Sequence, residues 1–145
     1  GEELLERLQK TGKRIINIYG PTETTVCCMT ADVTSGSEKL GTALGHSRIY
    51  LLDDQGNEAE AGEICVAGDC LFDGYRGDKV RTDERFTMHN GEPVYHTGDL
   101  AVRQGEELVY RGRKDGQVKL RGYRVELEEI ENCLYRVAGV KDICV

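Results

Sequence analysis

The chain has 145 residues, with 26 acidic against 19 basic side chains and a net charge of −7. That length suits one ordinary domain or two small pieces, with a core able to bury about two-thirds of the unfolded surface. A composition 39% hydrophobic and 31% charged excludes a disordered chain, no apolar run nears the roughly 20 residues of a membrane helix, and the acidic balance argues against general nucleic-acid binding.

Glu2 to Lys10 carries Leu4, Leu5 and Leu8 at helical spacing, and Gly12 suits a C-cap. Arg14 to Ile18 reads as a short buried strand, so the front of the chain resembles an α/β unit. Thr34-Ser35-Gly36-Ser37 reads as a surface loop. From Leu40 to Arg111 the signals are all β, and their spacing suggests a small sandwich or barrel. Arg48 to Leu52 and Glu63 to Ala67 are strands, with a turn at Asp53-Asp54-Gln55-Gly56-Asn57 between them. Leu100 to Arg103 and Glu107 to Tyr110 form a hairpin about Gln104-Gly105. A second hairpin follows from Gln117 to Val125 about Arg121-Gly122. A helix then carries Leu127, Ile130, Leu134 and Val137 on one stripe, acidic at its start and ended by Gly139. Val140 to Val145 starts another strand. Half-finished units at both ends suggest a fragment of something larger.

Six cysteines form no CxxC, and His46, His89 and His96 are scattered, so linear spacing predicts no zinc site. No signal peptide is evident at Gly1-Glu2-Glu3. The cysteines are therefore expected to be free thiols in a reducing cytoplasm.

Four segments carry chemistry. Asn17-Ile18-Tyr19-Gly20-Pro21-Thr22-Glu23 follows a strand and turns sharply. It presents an aromatic ring, a hydroxyl and a carboxylate, which suit a base, a phosphate and Mg²⁺. It reads equally as an ordinary turn around a core tyrosine. In Tyr95-His96-Thr97-Gly98-Asp99-Leu100, Asp99 is able to take both ribose hydroxyls or merely to cap its own turn. Gly62-Glu63-Ile64-Cys65-Val66-Ala67-Gly68 precedes Gly74-Tyr75. Arg111 to Arg124 holds six bases and one acid, Asp115, which suits an anion or a solvated hairpin face.

Together these segments resemble the amino-acid adenylation domain of nonribosomal peptide synthetases, within the adenylate-forming superfamily. The first is similar to N-x-Y-G-P-T-E-T-T and the next to G-E-L-x-x-x-G…G-Y. Tyr95 to Leu100 is similar to Y-[RK]-T-G-D-L, with His96 in place of the base. Gly112 to Glu131 is similar to G-R-x-D-x-Q-V-K-[IL]-R-G-x-R-[IV]-E-x-x-E-I-E. Ala43 stands where a proline is common, and the turn before Gly62 is short.

The resemblance implies an α+β fold: the end of a large N-terminal domain, an α/β edge plus a small β-barrel-like subdomain, followed by the start of a small α+β lid. Residues 1–114 would complete the N-terminal core, with 36–112 as its β-rich subdomain. Residues 115–145 would be the hinge and the beginning of the lid. The implied activity is ATP-dependent formation of an aminoacyl adenylate with Mg²⁺. Transfer to the phosphopantetheine thiol of a carrier domain would follow, among other synthetase modules. Nucleic acid, membrane and zinc are not expected partners.

The same resemblance implies residue roles. Tyr19 would stack on adenine, Thr22 would touch the α-phosphate region and Glu23 would ligate Mg²⁺. Asp99 would bind the ribose, Tyr110 would flank the nucleotide and Arg113 would hold ribose or phosphate. Ile18, Val26 and Cys27 would line the amino-acid pocket, and Asp115 would be the hinge. The hairpin with Arg121-Gly122 would guide the phosphopantetheine arm. The family's phosphate loop would lie upstream and its catalytic lysine beyond Val145, so the isolated piece is expected to be inactive. An acyl-CoA ligase and a non-catalytic remnant that binds nucleotide or carrier protein are the alternative readings.

Overall fold

The structure, a computed structural model, describes residues 2–33, 39–114, 118–120, 123–125, 127, 130, 133, 134, 136 and 137. Two compact units divide the chain, 1–112 and 113–145. In chain order the elements are α1 (Glu2–Gln9), β1 (Ile16–Tyr19), a 3₁₀ turn (Thr22–Thr24), β2 (Met29–Asp32), β3 (Lys39–Ala43), β4 (Ser47–Leu52), β5 (Ala61–Gly68), α2 (Lys79–Arg85), β6 (Phe86–His89), β7 (Glu92–Gln104), β8 (Glu107–Arg113), β9 (Val118–Leu120) and β10 (Tyr123–Val125).

Strands β1 to β8 form one sheet of order β1-β2-β3-β8-β7-β5-β4, with β6 also paired to β7. Among the described residues the hydrogen-bonded path ends at β1 and β4, yet Tyr19 of β1 and Leu51 of β4 share one core cluster. β5 lies inside the sheet and is buried on both faces, which is why Ile64-Cys65-Val66-Ala67 is a continuous apolar run. Successive strand residues point to opposite faces. Ile64 and Val66 accordingly join a core with Tyr19, Cys28, Met29, Leu40, Leu51, Cys70, Ala101 and Leu108. Cys65 and Ala67 join a smaller cluster with Leu52 and Val94 on the reverse face. Each fully buried Leu, Ile, Val or Met side chain among them contributes about 1.5–3 kcal/mol. Gly41 is required where β3 meets β2: its φ is +77°, and a Cβ there would lie 1.9 Å from the Thr30 carbonyl oxygen.

The turn at Asp53 is built as its residues suggest. The Asp53 carboxylate accepts from the Gln55 and Asn57 amides at 2.9 Å, and Gly56 supplies a φ of +82°. Other readings need correction. β1 is not buried along its length: it is an end strand, and Ile16 and Ile18 are exposed. The span from Leu40 to Arg111 is not all β, because α2 interrupts it. That helix has no buried residue and hence no apolar stripe to reveal it. Its signal is the N-cap, with Asp78 accepting from the Arg81 amide at 3.0 Å, and an exposed Lys79–Asp83 pair four residues apart. β2 lies outside the span from Leu40 to Arg111, and within it β6 and the start of β7 form a hairpin. Asn90-Gly91 turns that hairpin with φ of +48° and +82°, as a two-residue loop requires.

In the second unit β9 and β10 pair antiparallel, Tyr123 with Leu120 and Val125 with Val118, as the sequence suggests. Positions 127, 130, 133 and 134 are helical, with Leu134 and Val137 exposed. Thr34 to Ser37, Asp115-Gly116, Arg121-Gly122, Gly139 and 140–145 lie outside the described residues. Cys27, Cys28, Cys65, Cys70 and Cys133 are free thiols, and burial pushes the Cys28 thiol up to about 11.

Candidate functional site

The site begins where β1 ends. After Tyr19 the chain doubles back so tightly that a Cβ on Gly20 would lie 2.7 Å from the Val26 carbonyl oxygen and 2.8 Å from the Cys27 Cα. The 3₁₀ turn follows, and Thr25 and Val26 then take φ of +53° and +73°. Such a conformation costs a non-glycine residue about 1–3 kcal/mol and is rarest for a β-branched one. Neighbouring contacts hold it. The Thr25 hydroxyl donates to the Cys70 carbonyl at 2.7 Å, and the Phe72 amide donates to the Glu23 carbonyl at 3.0 Å. The result separates adjacent side chains: Glu23 turns inward to 6% exposure, while Thr22 stays exposed.

The inward carboxylate meets a phenol. Tyr75 donates to Glu23 Oε1 at 2.7 Å, and the Tyr75 and Tyr95 hydroxyls lie 3.3 Å apart. Phe72, Tyr75, Phe86 and Tyr95 pack edge-to-face or tilted around them, and the Arg81 guanidinium covers the Tyr75 ring at 4.6 Å. Burial, with Glu23 adding to it, raises the Tyr75 pKa, so the phenol stays a donor. Carboxylate oxygens are hard donors of the kind Mg²⁺ takes, and Tyr75 holds Glu23 Oε1 in place.

The second carboxylate comes from an irregularity in β7. Cys65 pairs with His96 and Glu63 with Leu100, so one β5 residue, Ile64, faces three of β7: Thr97, Gly98 and Asp99. Gly98 takes φ of +77° in this bulge. Side chains meet the amides released from the ladder. Gly98 N–H donates to Glu63 Oε1 at 2.8 Å, Asp99 N–H donates to the Thr97 hydroxyl at 3.0 Å, and that hydroxyl donates to the Ile64 carbonyl at 2.8 Å. The bulge aims Asp99 at Tyr19, whose hydroxyl donates to Asp99 Oδ2 at 2.6 Å. Both residues are buried. Burial first, and the Asp99 charge second, hold the Tyr19 pKa well above the ordinary range.

The fold thus joins Tyr19 to Asp99 and gathers Glu23 with Tyr75 and Tyr95. Tyr110 packs against the core cluster that contains Tyr19. Ile18 and Val26 are exposed and Cys27 is half-buried, its carbonyl 3.1 Å from His46 Nε2. Arg113 is half-buried at the end of β8. Tyr75, Thr97 and Glu63 carried no role in the sequence reading. Their signal was present, since each lies inside a quoted motif next to a glycine or an aspartate.

A motif turn under strain, two buried carboxylates each bonded to a phenol, and an aspartate raised on a bulge define a preorganised polar site. The family model described as AMP-binding enzyme matches residues 1–76. Surfactin synthase subunit 1 of Bacillus subtilis strain 168 is 41% identical over all of this chain, which spans 4% of that protein. The D-alanine--D-alanyl carrier protein ligase of Bacillus velezensis is 40% identical over 90% of the chain and 27% of its own length. The Vibrio cholerae adenylation domain AlmE, crystallised with glycyl-adenosine-5'-phosphate, superposes on 97% of the chain with a TM-score of 0.87 and 32% identity. The chain covers 29% of AlmE, and so spans under a third of the relatives it matches here. The chain belongs to the AMP-binding enzyme family.

Proposed function

We propose that this chain is part of an ATP-dependent ligase that forms an aminoacyl adenylate and passes the aminoacyl group to a carrier protein's phosphopantetheine thiol. The observation that carries the reading is the Tyr19–Asp99 hydrogen bond, because two nucleotide motifs 80 residues apart meet in it. The surfactin synthase, the D-alanine--D-alanyl carrier protein ligase and the adenylation domain that this chain resembles support the same reading.

In this reading Asp99 accepts from the ribose hydroxyls, and Tyr19 and Tyr110 bound the base. Exposed Thr22 donates toward the α-phosphate, and Arg113 adds a cation there or at the ribose. The substrate carboxylate attacks the α-phosphorus, and pyrophosphate leaves. Glu23 would hold Mg²⁺, which neutralises phosphate charge when bound. Catalysis by this chain's residues is positioning and charge complementarity rather than covalent chemistry. Ile18, Val26 and Cys27 line the amino-acid side of the site. Residues 1–114 close the N-terminal core, with 36–112 its β-rich subdomain, and Asp115 is the hinge to a lid beginning at 115–145. The carrier domain and neighbouring synthetase modules are the partners, and the cytoplasm is the compartment.

The test is amino-acid-dependent exchange of pyrophosphate into ATP by the intact protein, followed by loading of a carrier protein. Exchange with amino acids and none with fatty acids is expected. Exchange with fatty acids alone would make the protein an acyl-CoA ligase, and none with either would make it a non-catalytic binder. Asp115→Pro should spare exchange and cut carrier loading by orders of magnitude, because proline fixes the backbone where the hinge must turn. Equal loss of both would refute the hinge.

A further inference from the structure

Among the described residues, one group of metal-ligating side chains shares a point in space: Glu63, Cys65 and His96. It lies off the nucleotide side. Cys65 belongs to the reverse-face cluster with Val94, while Tyr19 and Ile64 belong to the other core. We propose that these three residues form a zinc site on the reverse face of the sheet.

The Cys65 and Glu63 ligand atoms converge on His96 Nδ1. His96 Nδ1 lies 3.3 Å from Cys65 Sγ and 3.2 Å from Glu63 Oε2, and all three ligand atoms fall within 4.8 Å of one another. Tetrahedral zinc, with bonds of about 2.0–2.3 Å, places N and O ligands about 3.3 Å apart and N and S ligands about 3.6 Å apart. Neighbours already hold the ligand atoms. His96 Nε2 lies 2.8 Å from the Thr87 hydroxyl; a ring proton donated there leaves the Nδ1 lone pair pointing at the thiol and the carboxylate. The Gly98 amide fixes Glu63 Oε1, while Oε2 is the oxygen that faces His96 Nδ1. Cys65 and His96 are directly opposed in the β5–β7 register, so the ligands sit on rigid strands.

The chemistry selects the ion. One thiolate, one imidazole and one carboxylate suit zinc, whereas magnesium prefers an octahedron of oxygens. On binding, the Cys65 thiol proton leaves to solvent, and S⁻ and the Glu63 carboxylate balance the two charges of the ion. Cys65 is fully buried and the His96 side chain is 22% exposed, so the ion enters past the imidazole and a water completes the shell there. His96 stands where the resembled motif carries Lys or Arg, so a repelling cation is exchanged for a ligand. The ion clamps β5 to β7 beside the bulge that presents Asp99. Linear spacing predicted no zinc because the sheet, not the chain, makes these residues neighbours.

The test uses the intact protein stripped with a chelator, and Co²⁺ as probe. One equivalent should produce a thiolate-to-cobalt charge-transfer band, bleached by one equivalent of Zn²⁺ and untouched by excess Mg²⁺. Calorimetry in two buffers should find about one proton released per zinc. Cys65→Ser should abolish the band, and His96→Lys should weaken zinc at least a hundredfold without loss of cooperative melting. Thr87→Val should weaken it about 10–100-fold. Absence of the band, which leaves only a hydrogen-bonded Cys–His–Glu chain, overturns the site. So does a band that survives Cys65→Ser, since the ion then sits on other thiols.

Discussion

The two faces of β7 carry different chemistry within the five residues from Tyr95 to Asp99. On one, Tyr95 and Asp99 meet Tyr75 and Tyr19, hard oxygen donors in a buried network fed by a turn from the far end of the sheet. On the other, His96 meets Cys65, Glu63 and Thr87, a mixed nitrogen, sulfur and oxygen set from strands that already touch. The first needed long-range chain closure and a strained loop, and the second needed only register. Both lean on the Thr97–Asp99 bulge, where Glu63 holds Gly98 on one side and Asp99 reaches Tyr19 on the other. A single irregularity of pairing thus supplies both faces.

The largest expected effect comes from the residue that supports this strand. Tyr95 is fully buried against Phe72 and Phe86, so Tyr95→Ala should cost about 3–5 kcal/mol of stability, read as a fall in denaturation midpoint. Tyr95→Phe keeps the packing and should cost about 0.5–1.5 kcal/mol. Equal losses would place the energy in the hydroxyl network instead.

Asp99→Ala separates the faces. It leaves the Tyr19 hydroxyl buried without its Asp99 acceptor and removes the proposed ribose contact, at about 1–3 kcal/mol. In the intact protein the KM for ATP should rise about 5- to 150-fold while the KM for the amino acid barely moves. An unchanged KM and kcat for ATP would remove Asp99 from the nucleotide site.

Tyr19→Phe acts through pH. The raised Tyr19 pKa means that its contribution is complete below about pH 10, the unfolded phenol's range, and is lost as pH climbs toward the folded value. The variant should lose stability less steeply in alkali than the parent. Parallel alkaline melting curves would contradict the buried pair.

The smallest effect belongs to the reverse-face rim. Glu92 accepts from Arg48 and from Tyr50, the latter at 2.8 Å, and Arg48 first and Tyr50 second hold its carboxyl down at about 2. That contribution is present above about pH 4.5 and fades as pH falls toward 2. Glu92→Gln should flatten this part of the acid melting curve, and an unchanged slope would mean that solvent screens the pair.

The sequence by itself determined the family, through motifs with fixed spacing, and the elements whose signal is local. The Asp53 turn, β5 as an apolar run and the β9–β10 hairpin were legible because turn chemistry and short-period patterning act over a few residues. Asn90-Gly91 and the Asp78 cap were equally local and went unread, whereas α2 hides because it buries no face. Only the tertiary structure decided which motif touches which. That Asp99 meets Tyr19, that Glu23 turns in to Tyr75 while Thr22 turns out, and that Glu63, Cys65 and His96 converge all follow from strand order, register and one bulge. Those are long-range pairings, and no composition or spacing along the chain encodes a distance between residues that only the sheet brings together.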